Sequence, residues 1–388
     1  MDATLSIWID QIRAAAAQHL TLAIQGGASK AFYGEPVARA QVLDTRAHAG
    51  IVSYEPSELV VTVRCGTPLR ELESALAAHG QCLAFEPPHF GPQAASAASP
   101  SAATVGGMVA CGLAGPARAQ AGGVRDHVLG VQMINGQGQW LTFGGQVMKN
   151  VAGYDVSRVL AGSMGTLGVI TDVSLKVLPQ SPAEVSLACH LPQAEALDLI
   201  NRWGAQPLPL NASCWVHDTS AQPVQDLLFV RLRGAVAAVD AAVPRMSADV
   251  FALGGRVTAI DQAQARADWA ACRDQSLPFF TPPAPELGLW RLSVPQTTPV
   301  LPWPDPPLIE WHGGLRWLWA PLSAAPQLRA LAAQAGGHAT LFRAPLSPVG
   351  EMPARFSPMP VVQQRIQREL QKQFDPQGVF NTGRIGLS

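Results

Sequence analysis

Leu22 to Gly34 reads LAIQGGASKAFYG. A short apolar run, Leu20 to Ile24, reads as a strand, and it ends in Gly26-Gly27, Ala28, Ser29 and Lys30. Paired glycines let the backbone turn so that successive N–H groups converge on one concavity, an anion-binding nest. Ser29 adds a hydroxyl donor and Lys30 a positive charge, which is what a phosphate requires. A strand followed by Gly-Gly is also an ordinary tight turn. The loop gains meaning only from the glycine loops that follow it in order.

Outward from this loop the chain alternates helix and strand. Ser6 to His19, with Ile7, Trp8 and Ile12, reads as a helix, and Val42-Leu43 as a strand ahead of Asp44 to Arg46. Ile51 to Tyr54 and Leu59 to Arg64 are further β-rich runs. Thr67 reads as the N-cap and Pro68 as the first residue of a helix with a Leu69, Leu72, Leu76 stripe, Gly80 lying beyond its end. That alternation points to α/β.

Phe85 to Gly123 is a long small-residue segment with almost no periodicity. Val105, Met108, Val109 and Leu113 interleave with glycines there, as a backbone packed around a flat ligand requires. Val124 to Ile134 and Trp140 to Phe143 read as strands around a turn at Gly136 to Gly138. In Lys149 to Pro179, Val156, Val159 and Leu160 suit a short helix and Gly162, Gly165 and Gly168 bracket a turn. Val169 to Val177 then alternates as a strand, with Ile170, Asp172, Ser174 and Lys176 on its second side. From about Glu184 the composition shifts to a second lobe, with a helix at Gln193 to Trp203, a β-run at Leu227 to Leu232 and proline clusters. A helix at Val361 to Phe374 leads into FDPQGVFNTGRIG.

Composition narrows the function. The 388 residues are 48% apolar and 14% charged, which fills a sizeable core, and the net charge is -1. No basic stripe suits nucleic acid. No run approaches the about 18–20 apolar residues of a spanning helix, and no secretion signal is visible. Cys65, Cys82, Cys111, Cys189, Cys214 and Cys272 are scattered without a CxxC pair. That argues against iron–sulfur or zinc ligation by this chain and suits a reducing cytosol. The nine histidines are isolated, so no metal site is expected.

Taken in order, GGASK, TVGG (Thr104 to Gly107), GGVRDHVLG (Gly122 to Gly130), KNVAGYD and GSMGTLGVIT within Lys149 to Thr171, and FDPQGVFNTGRI (Phe374 to Ile385) form one set. The set resembles the flavin-binding domain of the vanillyl-alcohol oxidase/PCMH family, in the branch of glycolate oxidase (glycolate dehydrogenase) E subunits. IEWHGGLRW, Ile309 to Trp317, is similar to that branch. Each motif alone has a plain structural reading: His127 as a satisfied buried histidine, the tail motif as a Pro/Gly turn anchored by Phe374 and Phe380.

The resemblance implies an α+β (α/β) fold: a PCMH-type FAD-binding domain over residues 1–180, in two subdomains of about 1–56 and 57–180. An α+β cap follows at 181–350, and a C-terminal segment, 351–388, packs back on the flavin domain. It implies that Gly26, Gly27, Ala28, Ser29 and Lys30 hold the FAD pyrophosphate. Thr104, Gly106 and Gly107, and the loop through Ala110 to Gly115 with Gly112, pass beside the isoalloxazine and ribityl, and Pro88 and Gly123 are counted among the cofactor-binding residues. Gly162, Gly165, Gly168 and Ile170 line the adenosine end, and Asn381 and Arg384 approach the ring. Relatives that tether the flavin carry His directly after the paired glycines; Ala28 stands there here, so noncovalent FAD is expected.

The function implied is that of an FAD subunit in a complex oxidising glycolate, a small 2-hydroxy acid, to glyoxylate. Its partners are a second homologous FAD subunit and an iron–sulfur subunit, and it sits in the cytoplasm with membrane association only through them. Such oxidation needs a grip on the carboxylate and a base for the hydroxyl proton. The His-rich pattern of the sister subunit is absent. His312 and Arg316 are the residual candidates, with Arg291 and Arg343 behind them, although packing is the stronger reading of this Trp-rich segment. Two alternatives stand beside the first: a non-catalytic electron relay or assembly subunit, and a free-standing 2-hydroxy-acid dehydrogenase.

Overall fold

The computed structural model describes residues 2–37, 40–91, 102–145, 155–220 and 222–386. The chain divides into two units: Met1–Ala114, Gly122–Gln180 and Pro358–Ser388 form the first, Gly115–Ala121 and Ser181–Ser357 the second. The second unit thus takes a short piece from within the first stretch of chain, and the return to the first unit falls at Pro358.

The first unit opens with helix Ala3–Ala17, whose N-cap Asp2 accepts the Thr4 N–H at 3.0 Å. Leu5, Trp8, Ile9, Ile12 and Ala15 recur at helical spacing and are all buried. Strand Leu22–Gln25 pairs in parallel with Gln41–Asp44. Its other edge is taken by the C-terminal tail: the Leu22 N–H donates to Val379 O at 2.7 Å and the Asn381 N–H to Leu22 O at 3.0 Å. The tail itself is braced by Asp375, buried, whose carboxylate accepts the N–H groups of Val379 (2.9 Å) and Phe380 (2.8 Å).

A second sheet of five antiparallel strands runs in the order Ile51–Glu55, Val60–Arg64, Val169–Lys176, Val128–Ile134, Trp140–Gly144. Strand Ile51–Glu55 pairs with Val60–Arg64 within this sheet. The central strand is buried on both faces through Leu175. Its polar residues meet partners in the sheet instead of water, as where Ser174 Oγ lies 2.9 Å from Thr62 Oγ1.

Three local expectations are corrected. Thr67 does not cap helix Leu69–Ala77; its hydroxyl accepts the Gly50 N–H at 2.8 Å, and Pro68 holds the cap position. Val124–His127 is a helical turn, with the Gly123 N–H donating to Asp126 Oδ2 at 2.8 Å, and the strand starts at Val128. The small-residue segment contains helix Val105–Cys111, capped by Thr104 and closed at Gly112 with φ +63. Gly and Ala hide its helical period because they carry no apolar stripe to read.

The second unit is an eight-stranded antiparallel sheet ordered Arg256–Ala259, Ala183–His190, Gln225–Gly234, Leu210–Asp218, Leu308–Glu310, Leu315–Pro321, Leu287–Ser293, His338–Arg343. Helices Gln193–Gly204 and Val236–Ala252 bury Leu197, Ile200, Trp203, Val239, Met246 and Val250 against one part of it. Helix Ala325–Gln334 buries Leu328 and Ala332 against Trp290, Leu292 and Leu341. The fold class is α+β.

Asp375→Ala strands two buried N–H groups of the tail, at about 1–3 kcal/mol each. Urea unfolding of the first unit should lose roughly 2–6 kcal/mol, and an unchanged midpoint would deny the tail its bracing role.

Candidate functional site

Strand Leu22–Gln25 delivers the chain into Gly26-Gly27, and the loop lies directly on residues 102–104. A Cβ on Gly26 would come within 2.3 Å of Thr104 Oγ1, and one on Gly27 within 1.7 Å of Ala102 O. Only bare backbone fits. Ala28 follows with φ +56, and the Ala31 N–H closes the turn on Ala28 O at 2.9 Å. Among the described residues the N–H groups of Gly26, Gly27, Ala28 and Ser29 have no protein acceptor. All four residues line a cavity of about 270 Å³.

The lining of that cavity includes Lys30 and Arg384 and, among the described residues, no Asp or Glu. Lys30 is 7% exposed; its ammonium donates to Ser29 Oγ at 3.4 Å and His89 O at 3.5 Å and lies 5.6 Å from the Phe90 ring centre. Arg384 donates to Ala31 O (2.7 Å) and Glu35 O (3.2 Å), tying the tail to the far end of the glycine loop. The Cys111 thiol is pushed up by burial, with Lys30 and Arg384 pulling the other way. Two cations, four open amides and no acid make a site for an anion.

Asn381 holds three segments in place. Its Oδ1 accepts the Ile24 N–H at 3.0 Å, its Nδ2 donates to Met164 O at 2.6 Å, and its own N–H is on Leu22 O. A Cβ on Gly165 would sit 2.6 Å from that Nδ2. The side-chain amide of Asn381 is thus engaged by protein at both ends.

Of the residues expected from sequence, Gly26, Gly27, Ala28, Ser29, Lys30, Thr104, Gly107, Ala110, Asn381 and Arg384 line the cavity. Pro88, Gly106, Gly112, Gly123, Gly162, Gly165, Gly168 and Ile170 are not among the lining residues of this cavity, and a Cβ on Gly162 would meet open space. Pro88 is buried beside His89. Gly106 backs onto Cys65, its N–H on Cys65 O at 2.8 Å. Gly112 ends a helix against Gly162, and Gly123 caps a helical turn. Gly165 backs onto Asn381, Gly168 onto Met133, and Ile170 sits within the central strand. Lys149 and Tyr154 lie outside the described residues. Ile24, Tyr33, Val37 and Met164 line the cavity without having been expected, and Cys111 lines it from the Ala110 to Gly115 loop. They are apolar or weakly polar and carry no signature; only adjacency to the glycine motifs pointed to them.

In the second unit, His312 is buried with φ +56. Its N–H donates to Ser213 Oγ at 3.1 Å and its Nδ1 lies 2.9 Å from the same oxygen. Burial pushes its pKa down to about 4, so it is neutral near pH 7. Arg316, 1% exposed, donates to Gly313 O (3.3 Å), Pro299 O (2.7 Å) and Thr298 O. It is a clamp on backbone carbonyls, and burial pushes its pKa down to about 10. Arg343 donates to Gln275 Oε1 at 3.0 Å. This unit has a larger cavity, about 530 Å³, walled by Phe229, Trp269, Phe279 and Trp319, but Asp218 and Asp268 line it too. Size favours that cavity; charge assigns an anionic ligand to the smaller one.

Residues 8–144 match the family model FAD_binding_4, described as FAD binding domain. The chain is 44% identical to glycolate oxidase subunit GlcE of Escherichia coli (strain K12), over 97% of this chain and 96% of that one. It is 34% identical to a D-lactate dehydrogenase of Archaeoglobus fulgidus over 37% of this chain and 30% of the relative. With glycolate oxidase subunit GlcD of Bacillus subtilis (strain 168) it shares 29% identity over 35% and 27%. A solved alkyldihydroxyacetonephosphate synthase shares the fold, with a TM-score of 0.67 at 14% identity over 96% of this chain and 74% of that one.

A neutral buried His312 makes acid costly. The unfolded chain takes up a proton below its ordinary 6.5, whereas the folded state resists until about 4. Stability contributed by this group therefore falls as pH drops through that window, by roughly 3 kcal/mol in all. His312→Gln should flatten the loss between these pH values in denaturation curves; identical pH profiles would contradict it.

Proposed function

The chain belongs to the glycolate oxidase E-subunit family of FAD-binding proteins, and on that premise we propose that it is the FAD-binding subunit of a glycolate oxidase, serving a complex that oxidises glycolate to glyoxylate. The observation that carries this reading is the row of four main-chain N–H groups that, among the described residues, have no protein acceptor and stand beside Lys30 and Arg384 in a cavity with no acid among its described lining. Those residues suit a pyrophosphate: main-chain amides donate along it and the two cations neutralise it.

In this reading Gly26, Gly27, Ala28 and Ser29 hold the pyrophosphate and Thr104, Gly107 and Ala110 border the rest of the cofactor. Asn381 acts by position, since its amide is already bonded to Ile24 and Met164. Bound FAD supplies the redox chemistry, taking two electrons from the substrate carbon and passing them on. Ala28 offers no ring nitrogen for a covalent tether, so FAD is held noncovalently. The partners in this reading are a second FAD subunit and an iron–sulfur subunit. The chain itself is cytoplasmic and meets a membrane only through them; no helix among the described residues is long and apolar enough to cross one.

A second reading concerns where the chemical step occurs. Arg316 is committed to three backbone carbonyls, and His312, with a pKa of about 4, is a weak base near pH 7. These contacts favour substrate oxidation on the paired flavin subunit, with this chain relaying electrons.

Two experiments test these readings. The purified chain should be yellow, and acid precipitation should release all its flavin, whereas Gly27→Ala should lose FAD because any Cβ meets Ala102 O. Full retention by Gly27→Ala would refute the loop's role. Glycolate added to the isolated chain without oxygen should leave the flavin oxidised if it is a relay; bleaching would place the chemical step on this chain.

A further inference from the structure

We propose that the larger cavity, of about 530 Å³, is a binding site for a small organic cation, an ammonium group carried on an aromatic or short alkyl body. Its volume falls within the roughly 300–1,000 Å³ of small-molecule sites. Residues of strand Leu210–Asp218, helix Gln262–Arg273 and the turn Pro278–Phe280 line it, all within the second unit. Burial grades the lining. Cys214, Ala265, Trp269, Cys272 and Leu308 are buried and form an apolar floor. His217, Thr219, Pro278 and Thr281 are exposed and form a wetter mouth. Asp218 and Asp268 fall between the two, half-buried.

What the lining lacks selects the charge of the ligand. It holds no Lys or Arg among the described residues. Its indole donors are spent elsewhere: the Trp269 Nε1–H donates to Ser186 Oγ at 2.9 Å and the Trp319 Nε1–H to Phe279 O at 2.7 Å. The Ser220 hydroxyl donates to Asp218 Oδ1 at 2.6 Å, the Cys272 thiol to Glu310 Oε1 at 3.2 Å, and His217 Nδ1 lies 2.6 Å from Asp226 Oδ1. An anionic ligand would therefore meet few donors and no positive charge.

Acceptors, by contrast, are left over. Asp218 Oδ1 takes the N–H and O–H of Ser220, and Asp268 Oδ1 takes the Gln264 Nε2–H at 2.8 Å. The second oxygen of each carboxylate has no partner among the described residues, and neither acid is in an ion pair. A half-buried carboxylate without a counter-charge is costly, and a cation offsets that cost. The walls favour the same sign. Phe229, Phe279 and Trp319 bring ring surface to the cavity and carry no stacked cation among the described residues. Trp269 already has one: the Arg231 guanidinium, bonded to Asn211 Oδ1 at 2.8 Å, stands 4.9 Å from its ring centre. The grading orients the ligand, its apolar body on the floor and its ammonium beside Asp218 and Asp268. This site is opposite in charge to that of the first unit and owes nothing to flavin.

The test titrates the full-length chain calorimetrically with three probes of similar shape: phenethylammonium, neutral phenylethanol and anionic phenylpropionate. The cation should bind at least about tenfold more tightly than the alcohol, and the anion most weakly. Asp218→Asn combined with Asp268→Asn keeps both side-chain shapes. It should weaken the cation about tenfold or more and leave the alcohol unchanged. Absence of phenethylammonium binding to the wild-type chain, or cation affinity unaltered by the two Asn substitutions, would overturn the site. Equal affinity for the three probes would overturn the ligand class. Flavin content, read on the same samples, reports on the first unit alone, so failure of the cofactor reading is scored separately.

Discussion

The first unit depends on how closely two lengths of main chain approach each other. At Gly27 a single carbon would stand 1.7 Å from Ala102 O, so the loop can rest on residues 102–104 only as bare backbone. With the loop in that position, the amides of residues 26–29 are left without protein acceptors beside Lys30 and Arg384. The close approach and the anion site are one event. No side chain in the cavity has the same standing, because the grip is made of groups every residue owns and that only this conformation lines up.

The tail supplies what the loop lacks. Asp375 fixes the turn, Val379 and Asn381 bond to Leu22, and Asn381 reaches across to Met164. Charge then completes the site, since Lys30 and Arg384 come from opposite ends of the chain. In the second unit the logic runs the other way. Its larger cavity is apolar with acids in its lining, and its cations are sequestered, Arg316 on carbonyls and Arg291 between indoles.

Much of this was legible in the sequence for physical reasons. Leu69, Leu72 and Leu76 carry a helical period, and Val169 to Val177 a strand, because apolar spacing records the face that is buried. The glycine loop was legible because Gly is used where no Cβ fits. Other parts were hidden. Helix Val105–Cys111 is built of small residues with no stripe to display. A Cβ on Gly112 would meet Gly162 and one on Gly168 would meet Met133, contacts that only three dimensions reveal. Asn381 was legible as part of the site, while its work as a joint between Ile24 and Met164 was not. Arg291 and Arg316 look alike in one dimension, and only the structure shows Arg316 bonded to three backbone carbonyls and Arg291 beside the rings of Trp311 and Trp317.

The pairing of Leu22 with Phe380 has a consequence for biosynthesis. The strand that leads into the glycine loop emerges early from the ribosome, but its second edge arrives only when translation has passed Asn381. Until then the nascent polypeptide lacks both the asparagine brace and one of its two cavity cations. The glycine loop therefore gains its second edge only after residues 379–384 are made, and removal of that stretch leaves the nest unfinished.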